Sequence, residues 1–148
     1  MRPTVGRALE VCAAALIGDV APNTAPSYRQ ASVIAAGVLL ISVGEELDRI
    51  AERRISENAA LREIFRDAAT ALADAGLCAR LAAAARGAEP GYRITQLDAE
   101  NDRLRALLIE LHAHVESCEG DAARRIEACI WRELAASTER RKLSLGAF

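Results

Sequence analysis

The strongest constraint in this chain is a run of helix-favouring residues that is too long for a small globule. The spacing predicts one helix from about Ala25 to Ala75, with Gly76 as its stop. At 1.5 Å per residue such a rod is about 75 Å long, whereas a compact protein of this size is about 40 Å across. Two resolutions follow. The helix can break near Ser42–Glu45, where Ser42 and Glu45 spell a capping box around Gly44. Alternatively it stays continuous and buries its far half against a second chain. The apolar spacing continues through Gly44, so the sequence favours the continuous helix.

The first part of that run, Ala31 to Val43, has almost no polar side. A bilayer-spanning helix needs about 20 apolar residues, more than this stretch supplies. The expectation is therefore a helix buried on all sides, with no transmembrane segment. A secretory signal is not expected either, because Glu10 sits inside the apolar stretch that follows Arg2 and Arg7.

Composition agrees with an all-α fold. About a fifth of the residues are alanine, aromatics make up 3%, and β-branched runs are confined to residues 31–43. At 148 residues the chain reads as a single helical domain, residues 1–148, with residues 139–148 as a flexible tail. Nineteen bases against 21 acids leave a net charge of −2, which gives no general attraction to nucleic acid. The four cysteines are widely spaced and form no CxxC pair, so a reduced, cytoplasmic protein is expected.

Taken in order, a first helix is expected from Pro3 to Val20, carrying Val5, Leu9, Cys12, Leu16 and Val20 on one face. The segment Ala21–Tyr28 breaks it, and Thr24 is the expected N-cap of the long helix. A short helix follows over Leu77–Arg86, then a loop from Gly87 to Gly91. A fourth helix is expected over Arg93–Cys118, with Thr95 and Asp98 as its cap pair. A fifth begins at Asp121, directly after Gly120, with a stripe of Ala123, Ile126, Ile130 and Leu134 and Trp131 at its edge.

One internal echo stands out. ENAALREIF at 57–65 and ENDRLRALL at 100–108 share Glu, Asn, Leu and Arg at equal spacing. On a heptad, Leu47, Arg54, Leu61 and Ala68 fall at one seam position and Ala51, Asn58, Phe65 and Leu72 at the other. The later run aligns Leu97, Leu104, Leu111 and Cys118 with Ile94, Asn101, Leu108 and Val115. Each seam thus carries one asparagine, Asn58 or Asn101. Such a residue fixes the register of coiled-coil-like packing, within the chain or across a two-fold interface.

Chemistry-bearing residues are few. Tyr28, Arg29 and Gln30 stand in the first turn of the long helix, where a carboxylate or phosphate would be attracted, and they are the candidate ligand-binding residues. Glu110, His114 and Cys118 line up at four-residue steps, as do His112 and Glu116, but one ladder needs ligands from another helix. Glu45, Glu46 and Asp48 read as a solvated face beside Arg49. No nucleophile signature or glycine-rich phosphate loop is present, so no catalytic residue, cofactor or metal is assigned.

The sequence thus predicts a bundle of four to five helices with one long central helix, forming a homodimer. The leading functional expectation is a non-enzymatic interaction or scaffold protein. The alternatives are a bundle binding a small apolar or anionic ligand, and a metal-dependent enzyme.

Overall fold

A computed structural model of the protein describes residues 4–144. It is 84% helical, an all-α bundle with one long central helix. The helices are α1 (Val5–Ala15), α2 (Ser27–Ala71), α3 (Ala75–Ala85), α4 (Ile94–Glu116) and α5 (Asp121–Arg140). They belong to two compact units, residues 1–50 with 143–148, and residues 51–142, and α2 contributes to both.

No break occurs at Gly44, which lies inside α2. A single helical glycine costs about 1 kcal/mol, too little to interrupt a run of good helix formers. Ser42 does not cap a new helix there; its hydroxyl donates to the Val38 carbonyl one turn back, at 3.1 Å.

In the first unit Thr4 caps α1 by accepting from the Arg7 N–H, and Pro3 lies outside the described residues. The chain then loosens into a π-helical stretch, Leu16–Val20, and tightens into a 3₁₀ turn, Ala21–Asn23. Thr24 is not the N-cap of α2. Its hydroxyl donates to the Val20 carbonyl at 2.7 Å and so closes the preceding turn, and α2 begins at Ser27. Small residues let α1 and the first half of α2 approach closely. A Cβ on Gly37 would lie 2.5 Å from Ile17 Cγ1 and 3.3 Å from the Ala13 carbonyl oxygen, so only glycine fits there without a shift.

Residues 31–43 are not buried on all sides, contrary to expectation; only Gly37 among them is fully covered. The apolar pattern is real, but α1 is one short helix and can shield only one side of it.

The second unit holds a conventional core. Leu61, Phe65 and Ala68 of α2 pack with Leu81 of α3, Leu104, Leu108, Leu111 and Val115 of α4, and Ile126 and Ile130 of α5. These include most of the apolar seam positions read from the heptads. Gly76 does not stop α2: the helix ends at Ala71, and Gly76 lies in the first turn of α3, whose N-cap Asp74 accepts from the Leu77 N–H at 2.9 Å. Thr95 and Asp98 lie inside α4 and do not cap it. Asp98 instead accepts from Arg54 Nε at 2.6 Å.

Helix α5 starts at Asp121 as the spacing predicts, after Gly120 with φ +116°, a conformation that favours glycine. Its buried stripe is Ala123, Ile126 and Ile130, with Trp131 half exposed beside it. Within the span expected as a tail, α5 runs to Arg140, and both Arg141 and Ser144 make hydrogen bonds to carboxylates. Residues 145–148 lie outside the described part.

Candidate functional site

The most unusual feature of the first unit is its uncovered apolar face. Ala36, Leu39, Val43 and Leu47 recur at steps of three, four and four, the spacing of one helix side. Leu39 is 64% exposed, Val43 47% and Leu47 46%, while Ile34, Val38 and Ile41, on the opposite side of the helix, are each more than a third exposed. No charged residue occurs between Arg29 and Glu45.

Beside this face an open groove of about 580 Å³ is lined by Arg7, Glu10, Leu40, Gly44, Glu45 and Asp48, among others. Glu45 is fixed in it: its carboxylate accepts from the Ser144 hydroxyl at 2.7 Å, the Ser144 N–H at 3.0 Å and Arg49 at 2.7 Å. These bonds, the Ser144 hydroxyl foremost, hold the carboxyl below its ordinary range. The acidic trio of the sequence is thus not uniformly a solvated face. Glu45 anchors the returning C-terminal segment.

Tyr28, Arg29 and Gln30 do not line that groove. Tyr28 and Arg29 are exposed, and the Arg29 guanidinium sits 5.9 Å from the Tyr28 ring centre while its Nε donates to the phenol oxygen at 3.3 Å. The pair satisfies itself in solvent.

The second unit contains a buried ionic centre. Glu57 is fully buried; its carboxylate accepts from the Ser137 hydroxyl at 2.8 Å and from Arg54, Arg105 and Arg141 at 3.1 to 3.3 Å. Burial pushes this carboxyl up. The hydrogen bonds from Arg141 and Ser137 and the charges of Arg141 and Arg105 outweigh that effect and hold it at about 2.

Asn58 and Asn101 adjoin this centre and pair with each other inside the chain. Asn101 Nδ2 donates to Asn58 Oδ1 at 2.8 Å, Asn58 Nδ2 donates to Glu89 at 2.9 Å, and Asn101 Oδ1 accepts from Arg105 Nε at 2.9 Å. Arg62 bridges Glu89 and Glu100 alongside. Every polar atom in such a set is costly to leave unpaired, so the set locks the register of α2 against α4.

Sequence reasoning placed both asparagines in the seams but missed Glu57. One signal was available: Arg54 occupies a seam position, and a cation there requires a buried acid nearby.

The ladder Glu110, His114 and Cys118 is only partly assembled. Glu110 pairs with Arg80, while His114 Nε2 lies 3.5 Å from Cys118 Sγ. His112 is partly covered, its ring meeting that of Trp131 in a T-shaped contact at 5.2 Å between centroids. All four cysteines are free, Cys12 exposed and the others half-buried.

Comparison with protein-family models, with curated proteins and with solved structures gives no match to this chain.

Proposed function

We propose that this is a non-enzymatic helical interaction protein that self-associates through the uncovered α2 face of its first unit, as a homodimer. The observation that carries this reading is the 18-residue apolar window of α2, of which only 6% is buried. A patch of that kind marks a surface that is covered in the working protein. A second copy suits it because the stretch from Ser32 to Val43 is uncharged. A two-fold contact sets the same patch of both copies face to face, so an uncharged stripe meets its copy without like-charge repulsion.

A second reading rests on the same window, whose mean hydropathy of 1.4 is apolar enough for a bilayer. The surrounding charges argue against it. Glu10 sits among the apolar residues of α1 and Asp19 follows them, Glu45 and Glu46 follow those of α2, and the Lys/Arg-rich rim of a membrane-surface helix is missing. Four free cysteines accord with a reducing compartment, and we assign the protein to the cytoplasm.

Light scattering tests the proposal. At tens of micromolar the wild-type chain is expected at twice its 15.8 kDa mass. The double variant Leu39→Glu, Val43→Glu is expected at the monomer mass with its helical circular dichroism intact. A monomeric wild type, or a dimer that the double variant leaves whole, overturns the reading. Flotation of the wild type with lipid vesicles in place of dimerisation would establish the bilayer instead.

A further inference from the structure

The turn between α4 and α5 brings together three metal-ligating side chains that the sequence separates. We propose that His112, Glu116 and Glu127 form a site for a divalent transition-metal ion, with Zn²⁺ the ion that the donors fit best. One donor atom from each residue lies within 4.8 Å of the other two. His112 and Glu116 are four apart on α4 and so share a face, while Glu127 comes from α5.

Two observations mark the cluster as more than a chance grouping of charges. His112 Nε2 is buried yet makes no hydrogen bond, and its distance of 3.5 Å from Glu116 Oε1 is too long for a good one. Glu127 is half-buried and has no hydrogen-bond or ion-pair partner among the described residues, in a chain whose other half-buried acids are largely paired. A dication between the three would satisfy the imidazole lone pair and cancel the repulsion between the two carboxylates.

Zinc held by nitrogen and oxygen at about 2.0–2.1 Å places its donors about 3.3 Å apart. Binding therefore requires the donors to draw closer than the 4.8 Å that bounds them here. The imidazole selects Zn²⁺ or Co²⁺ over Mg²⁺ and Ca²⁺, which prefer all-oxygen sites. The Trp131 ring packs against the imidazole in a T-shaped contact, with an interplanar angle of 84°. Three protein ligands leave room for water on the ion, as in open zinc sites. The site lies in the second unit, and its existence does not depend on the dimer proposed above.

Trp131 is the only tryptophan and supplies the reporter. Titrating the reduced full-length protein with Co²⁺ is expected to quench its fluorescence to saturation at one ion per chain, with Zn²⁺ displacing the Co²⁺. Glu127→Gln is expected to weaken binding by roughly tenfold or more while leaving the helical circular dichroism unchanged. Cys118→Ser tests the competing His114–Cys118 pair and is expected to leave both affinity and quenching as in the wild type. Absence of saturable binding, unchanged affinity in Glu127→Gln, or loss of binding in Cys118→Ser each overturns the site.

Discussion

The two units use opposite strategies with the same few residue types. The second buries large side chains, Phe65, Leu81, Leu104 and Ile130 among them, and also buries a charged centre at Glu57. The first fully buries little beyond Ala13, Ala21 and Gly37, and leaves Leu39, Val43 and Leu47 about half or more exposed. Apolar content therefore does not measure burial. The second unit has four helix segments to surround each apolar stripe, whereas the first has one short helix and a turn against the most apolar stretch in the chain. Stability in the second unit is internal; the first has apolar surface left to give to a partner.

The largest expected effect comes from removing the charge that organises the second unit. Glu57→Gln leaves Arg54, Arg105 and Arg141 without their shared carboxylate and is expected to cost about 3–5 kcal/mol of unfolding free energy, measured by chemical denaturation. A loss below about 1 kcal/mol would mean that the arginines find other partners, and the contrast between the units would weaken.

Acid sharpens the same contrast. Glu57 is held at about 2 in the folded protein against 4.5 for the free group, so its contribution is fully present above pH 4.5. As pH falls from there toward 2 the unfolded chain takes up a proton before the folded one, and about 3 kcal/mol is lost. Denaturation midpoints measured across that window should fall accordingly in the wild type and less steeply in Glu57→Gln.

The smallest effect separates two glycines of the first unit. A Cβ on Gly44 would sit 3.8 Å from Leu9, an ordinary contact, so Gly44→Ala is expected to stabilise by up to about 1 kcal/mol. Gly37→Ala forces a methyl against Ile17 and is expected to lose that gain or reverse it. Thermal unfolding of the two variants compares them directly.

Much of this architecture was legible in the sequence. The long helix, the start of α5 after Gly120 and the stripe of Ala123, Ile126 and Ile130 followed from periodicity and glycine placement, because these are local signals. Burial of residues 31–43 was misread because a helix apolar on all sides looks the same whether or not other helices surround it. The caps at Thr24 and Asp98 failed because those side chains had other partners, the Val20 carbonyl for Thr24 and Arg54 for Asp98, and Thr95 lies inside α4. The metal-ligating cluster depended on Glu127, which periodicity marks only as an outward residue of α5. It meets His112 and Glu116 through tertiary contact.

Hydrogen exchange on the full-length protein at low and high micromolar concentrations tests the central claim most directly. Backbone amides of residues 31–47 should gain protection as concentration rises, while those around Phe65 and Leu108 stay equally protected throughout. Protection of residues 31–47 that does not change with concentration would contradict the claim that this face is completed by a second copy.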